Sequence, residues 1–540
     1  MAESLISGLN SNLDTNDIVS KLLALQRRPI DILEAKADAE AQKLVTFQEL
    51  QSRLQTFKSV VTTINSESKF LSTQGTFSNS SNSDTNQVLT IDTTSQAASG
   101  TFSLTVNQLA RESKLVSQGF SALTDTVPQG TLSITVGGTT TEISINSTNN
   151  TLDGLRLAIN NSGADIQASF LNDGSSSNPI RLLVSGTKTG ADNSVSLSIK
   201  QNLLGGGTQE VFSFTETQSA QDASFTLDGI AITKSNNTVT DVITGATLNL
   251  QSAGSGTITL SSDLPAIKEK VGAFVDAYNE LSLFLDEQQF LDPDTFSTGV
   301  LFGNFTVQNL QQTLRNTLSS AVPGVSGTFS SLSQVGIRTQ SDGSLLINDA
   351  DFTAALTTDI GSVSNLFASK GTTTDNNVTF IGFTKETTAG SFDLRVVGGV
   401  PQLSVAGQNQ YSDAVGSGNF FSGALGTAAE GLNFRLGNLA DGSYGTINLS
   451  LGVAETINRV VGNLTDKSLQ GPLTTEIDTF TNTIKDIDDQ ILSLESRLEV
   501  FEQDLRTRFA NLEVTIGRLN SQKDAFESAL SGIQNLTTNR

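Results

Sequence analysis

Toward the C-terminus, Ile477, Phe480, Ile484, Ile487, Ile491, Leu494, Leu498, Phe501 and Leu505 follow one another in alternating steps of three and four. This heptad seam predicts a long helix packed against other helices. A second consecutive step of four leads to Phe509, and the seam resumes at Leu512, Ile516 and Leu519. Such a stutter unwinds a coiled coil locally without ending it. Nine large apolar side chains between Ile477 and Leu505, at roughly 1.5–3 kcal/mol each, would forgo on the order of 14–27 kcal/mol if left in water. An ordinary domain is stable by only about 5–15 kcal/mol, so the stripe is expected to be covered. A coiled-coil stalk and a helix in a bundle core both satisfy that demand.

The N-terminal part carries a second helical pattern. Asp14 is a good N-cap and Asp17 suits the first turn. Ile18, Leu22 and Leu25 follow at helical spacing. Pro29 is expected to interrupt this helix, because a residue before proline is pushed out of the α region. Proline also suits the first position of a new helix. That second helix is expected to run to about Phe70, with Leu44, Phe47, Leu54, Phe57, Val61 and Ile64 on its apolar stripe and Leu50 out of phase.

From about Gly75 the pattern changes to short alternating strands punctuated by Asn, Gly and Asp. "GTFSLTV" alternates Phe102, Leu104 and Val106, and "GTLSITV" alternates Leu132, Ile134 and Val136. Asp173-Gly174 and Asp228-Gly229 read as turns. Helix returns at Leu264, with a seam of Ile267, Val271, Phe274, Tyr278, Leu281 and Leu285. A shorter helix carries Val307, Leu310, Leu314 and Leu318. A hairpin turning near Asp342-Gly343 follows, and Asp349 is placed to cap the helix of Phe352 and Leu356. Strands reappear from about Gly371. "GSFDLRV" repeats the spacing of "GTFSLTV", and "GTINLSLG" echoes both "GTLSITVG" and "GTITL". These echoes fit a repeated β module and equally the common grammar of hairpins.

The fold class expected is therefore α+β and multidomain. A discontinuous helical coiled-coil or bundle leg is formed by both chain ends and the central helices, with projecting antiparallel β-rich domains. The expected division is a flexible segment 1–16, leg helices 17–75, a β-rich region 76–263 of two subdomains, central leg helices and hairpin 264–370, an inserted β module 371–454, a C-terminal leg helix 455–532 and a flexible end 533–540.

Composition narrows the function. The net charge of -23 opposes nucleic acid and anionic membrane surfaces. Cys, His and Trp are absent and the only Met is Met1, which excludes disulfides, Cys or His metal sites, a histidine base and a cysteine nucleophile. No apolar run reaches membrane-spanning length, so no membrane insertion is expected. The first residues lack a basic and then continuously apolar stretch, so they do not form a secretory signal; a secreted chain of this kind is expected to leave by a route that needs no cleaved signal.

No catalytic, cofactor or metal site is expected. Asp488 and Asp489 fall on the polar face of the seam helix, and Asp349 and Asp351 sit at a helix start. Asp292 and Asp294 are spaced as in a calcium loop, but the glutamate at the twelfth position is missing. Gly205, Gly206 and Gly207 precede no strand-to-helix phosphate motif and read as a connection.

Several segments resemble the flagellar filament-capping protein family, also called hook-associated protein 2. "SGLNSNLDTNDIVSKLLALQRRPI" resembles its opening motif through Ser7, Gly8, Leu9, Ser11, Leu13, Asp14, Ile18 and Val19, with Asn10 and Asn12 where the family usually has glycine. "GTFSLTVNQLARESKLVS", "VGAFVDAYNEL", "SLSQVGIRTQSDGSLLIN" and "FANLEVTIGRLNSQ" are similar to further family segments. The 371–454 module matches least. The resemblance implies a secreted structural protein at the distal tip of the bacterial flagellar filament. Its partners would be flagellin, further copies of itself in a ring of five or six, and a type III export chaperone before secretion. A filament-tip adhesin with a host surface ligand, and another flagellin-like axial subunit, are the alternative readings.

Overall fold

The computed structural model describes residues 14–80, 86–202, 208–325 and 327–537. The chain forms two compact units, Ser68–Glu269 in one and Met1–Glu67 with Lys270–Arg540 in the other. Helices and antiparallel sheets alternate along it, and among the described residues there are eight α-helices: α1 (Thr15–Val61), α2 (Glu67–Phe70), α3 (Leu152–Asn160), α4 (Leu264–Gln289), α5 (Phe305–Ser319), α6 (Asp349–Phe367), α7 (Gly452–Thr465) and α8 (Pro472–Thr537). Of the ends expected to be flexible, residues 1–13 and 538–540 lie outside the described residues, as do Gly205, Gly206 and Gly207; residues 14–16 instead cap and open α1, and residues 533–537 belong to α8, because each continues the neighbouring helix.

Pro29 does not break α1. The helix continues through it to Val61, capped at Thr62. A proline there removes one backbone hydrogen bond and crowds the preceding turn. Buried Val19 and Ile30 anchor the helix on both sides, and tertiary packing overrides the local penalty. The helix also stops short of the expected Phe70. At the other end, the expected single helix from 455 is two helices. Residues 466–471 separate α7 from α8: Gln470 takes a left-handed φ of 51°, the Gly471 amide donates to the Asp466 carbonyl at 3.0 Å, and Pro472 starts α8. Asn348, not Asp349, caps α6, its side chain accepting from the Ala350 and Asp351 amides.

The unit Ser68–Glu269 contains two β cores, one nested in the other. The outer core has a five-stranded sheet in the order Thr73–Asn79, Gly254–Ser262, Gly100–Gln108, Ala223–Leu227, Ile230–Lys234. A three-stranded sheet of Thr238–Ile243, Ala246–Leu250 and Leu89–Thr93 shares its core through Leu104, Phe225, Leu248 and Ile258. Between Gly100–Gln108 and Ala223–Leu227 the chain leaves to build the second core, two four-stranded sheets with α3 around Leu132, Leu155, Leu182 and Ile199.

The other unit contains a further sandwich, from Lys370 to Leu451. Its five-stranded sheet runs Lys370–Thr373, Gly442–Ser450, Gly390–Val397, Val400–Val405, Ser412–Asp413. This is the strand order of the outer core above, and the register agrees over the first four residues of the paired strands, before a bulge between Asp393 and Arg395 shifts it in the second copy. Phe102 faces Ile258 and Gly100 faces Leu260 in one; Phe392 faces Ile447 and Gly390 faces Leu449 in the other. The echoes "GTFSLTV"/"GSFDLRV" and "GTITL"/"GTINL" thus mark matching strands of a repeated module. "GTLSITVG" instead lies in a different sheet of the nested core, where it is common hairpin grammar.

In this second unit α1, α5, α6, α7 and the start of α8 pack together. α4 joins on the C-terminal half of α1, where Phe57 lies 5.9 Å from Phe274 and 6.3 Å from Tyr278 between ring centroids. A buried polar cluster ties the sandwich to these helices. Glu455 on α7 accepts from Asn65 Nδ2 at 3.0 Å and from Arg459 Nε at 3.2 Å. Arg459 in turn donates to the carbonyls of Thr387 and Thr384 at 2.6 and 2.9 Å, and its guanidinium lies 5.3 Å from the Phe383 ring centre. Gly452, at φ +67°, lets the last strand turn straight into α7; a Cβ there would sit 2.3 Å from the Phe367 carbonyl.

Two outcomes follow from this architecture. Pro29→Ala restores the missing helical hydrogen bond and is expected to stabilise α1 by about 1–3 kcal/mol, read as a higher melting temperature by far-UV circular dichroism. A lower melting temperature would mean that α1 needs its proline to lie along its partner. Glu455→Ala leaves Arg459 buried without its carboxylate and is expected to cost about 3–5 kcal/mol, with hydrogen exchange rising first in residues 383–388. Unchanged denaturant unfolding and exchange would show that the cluster does not hold the sandwich.

Candidate assembly interface

The two ends of the chain meet in one long helical pair. α8, with 66 residues, spans about 99 Å and α1, with 47 residues, about 70 Å at 1.5 Å per residue. α1 packs more extensively along α8 than along α7. Phe47 stacks on Phe480 at 5.4 Å, and Lys43 lies 5.8 Å from the same ring. Phe480 stands near the beginning of α8, whereas Ile30 and Val19, also buried, precede Phe47 on α1. The helices therefore run antiparallel.

The seam is covered on one side. Ile487 is buried; Ile484, Ile491, Leu494, Leu498, Phe501, Leu505 and Phe509 are half-buried; Leu512 is 40% exposed. A two-stranded coiled coil buries a narrow a/d seam with one partner, but here the partner helix leaves most of the seam half in water. Further apolar side chains stand beside the seam: Leu492 and Val500 on α8 are 63% and 65% exposed, and Leu22, Leu25 and Ile32 on α1 face solvent. The expectation that the stripe is enclosed thus holds only in part within one chain. The surface ion pairs on these helices, such as Arg27–Asp31 and Arg506–Glu502, contribute a few tenths of a kcal/mol each and do not offset that exposure.

Of the N-terminal motif, Ser7, Gly8, Leu9 and Leu13 lie outside the described residues. Asp14 caps α1, its Oδ1 accepting from the Asp17 amide at 3.0 Å. Asp488 and Asp489 are exposed on α8, and Asp349 and Asp351 occupy the first turn of α6. Among the described residues no group of His, Cys, Asp or Glu is arranged to hold a metal ion, and no helix is long and apolar enough to cross a membrane.

One exposed feature lies outside the periodic seams. The loop joining α4 to α5 presents Phe290, Phe296, Phe302 and the first residue of α5, Phe305, to solvent. Asp292 organises it, accepting from the Asp294 and Thr295 amides at 2.8 and 3.1 Å. Hydrogen bonding from Thr295 and Asp294 holds the Asp292 carboxyl below its usual range, so it stays ionised. The signal was in the sequence: four phenylalanines within sixteen residues of a loop.

The N-terminal model of flagellar hook-associated protein 2 matches residues 11–113, and the C-terminal model of the same family matches residues 220–521. The B-type flagellar hook-associated protein 2 of Pseudomonas aeruginosa is 29% identical over 382 residues, covering 66% of this chain and 78% of that protein. Flagellar hook-associated protein 2 of Escherichia coli K12 is 30% identical over 385 residues, covering 67% and 80%. The crystal structure of the flagellar cap protein from Escherichia coli covers 81% of this chain and 99% of its own, with a TM-score of 0.54 at 23% identity, a likeness of fold. With its C-terminal model spanning more than half of the chain, this protein belongs to the flagellar hook-associated protein 2 family.

Proposed function

We propose that this chain is a secreted structural cap at the distal tip of the flagellar filament, where it promotes folding and polymerisation of flagellin and prevents its loss to the medium. Family membership supports the role, and the incompletely covered α1–α8 seam carries the mechanism. A cap must hold a growing end and release it as each subunit enters. A half-covered apolar ridge flanked by exposed Leu492 and Val500 gains by burying against neighbouring subunits, yet it is stable enough to stand between contacts. In this reading the α1–α8 pair contacts flagellin, five or six copies form a ring, and a type III export chaperone shields the end of α8 before secretion.

Leu492→Asp with Val500→Asp tests the contact. Both side chains are exposed, so the substitutions should leave far-UV circular dichroism and thermal stability within about 0.5 kcal/mol of the parent. In a strain lacking its own copy, the substituted chain is expected to give short or absent filaments, with unpolymerised flagellin in the medium. Filaments of parental length and full motility would remove this face from the capping mechanism.

A further inference from the structure

The repeated sandwich allows one face to be compared with its counterpart in the same chain. On the smaller sheet of the first copy the outward positions are polar: Thr90, Asp92, Thr247 and Asn249. Two of them bind each other, Asn249 Nδ2 donating to Asp92 Oδ2 at 2.8 Å. The matching sheet of the second copy is built from Val378–Gly382, Asn433–Leu436, Phe420–Ser422 and Val415–Ser417. Its inward side holds Val378, Phe380, Phe421, Phe434 and Leu436. Its outward side carries Ile381, Val415 and Phe420, all more than half exposed, around Arg435, which stands between Thr379 and Phe420 in the cross-strand row. Among the described residues Arg435 has no ion pair. The same sandwich is built elsewhere with a polar face, so the fold does not require this apolar one. It is the surface of something else.

A surface of opposite character lies on the helical part of the same unit. In the α4–α5 loop, Phe296 is 77% exposed and sits at φ +57°, a left-handed conformation that a bulky side chain adopts only at a cost. Strain is thus retained where an aromatic ring is held in water. Asp292 and Asp294 flank it, and neither has an ion-pair partner among the described residues. One patch is aliphatic and aromatic with an unmatched cation; the other is aromatic with unmatched anions.

We propose that the Arg435 face of one copy docks on the Phe296–Asp294 loop of a second copy of this chain. The two patches are different surfaces of one protomer, so the contact is head-to-tail, the type that closes into rings or propagates as a helix. Phe420 and Phe296 exclude water around the Arg435–carboxylate pair, the arrangement in which a charged contact counts most. This contact rests on the capping reading only in supplying a lateral bond for the assembly.

The test is self-association of the full chain, followed by sedimentation velocity over a concentration series. Asp294 is chosen over Asp292 because its side chain organises nothing in the loop. Arg435→Asp and Asp294→Arg, each alone, are expected to weaken association at least about tenfold, and the two together to restore it to within about threefold of the parent. Phe296→Ser should weaken association and should not be rescued by either charge change. Far-UV circular dichroism identifies any variant that has lost its fold; Arg435→Gln and Asp294→Asn then replace it, with weakening expected in the same sense. A parent that stays monomeric, single variants that associate like the parent, or a double variant no better than the singles would each overturn the proposal. Variants that associate normally but release flagellin would assign the Arg435 face to flagellin and overturn it too. Complementation of filament growth is scored separately, so normal capping by a chain whose association ignores Arg435 leaves the capping reading standing.

Discussion

The antiparallel contact of α1 with α8 is the constraint on which the helical unit depends. It brings the two ends of a 540-residue chain together, so everything between Val61 and Pro472 must leave this pair and return. From Ile484 to Phe509 all of the seam but Ile487 stays half in water. That is costly for an isolated monomer and useful for a subunit whose remaining surface is supplied by neighbours. The same physical fact accounts for the stability of the stalk and for its incompleteness.

The departures from the stalk are secured by polar means as much as by packing. Glu455 and Arg459 are nearly buried, and removing either would strand the other. Their partners are Asn65 at the end of α1 and the carbonyls of Thr384 and Thr387 in the sandwich. A greasy contact between helix and sheet tolerates sliding; this cluster does not, because its hydrogen bonds are directional. The repeated sandwich therefore has a defined attachment, and its outward face is presented in one orientation to whatever meets this unit.

The repetition of that sandwich also shows how much surface can change while a core is kept. Leu104, Phe225 and Leu248 in one copy and Leu394, Phe434 and Leu436 in the other fill comparable interiors. The first copy accommodates a whole nested domain between two adjacent strands, where the second has only the turn at Gly398 and Gly399. Long insertions are tolerated at such connections because loop closure costs grow slowly with length. What differs between the copies is therefore the place to look for what differs in their contacts.

Periodicity made the helix–sheet–helix–sheet–helix order legible, because a 3.5-residue seam and a two-residue alternation are direct consequences of backbone geometry. Absent Cys and His excluded whole classes of chemistry, and the terminal motifs pointed to the family. Pro29 misled because the local penalty of a proline is small beside the packing of Val19 and Ile30. The break at residues 466–471 had a local signal in Gly471-Pro472 that the apolar periodicity on either side outweighed, whereas the nesting of one β core inside another was hidden because strand pairing joins residues distant in sequence. Only the tertiary structure decided that the C-terminal seam is covered on one side, and that Phe296 and Arg435 stand in water. Exposure is a property of what packs against a residue, and a sequence records the residue without its neighbours.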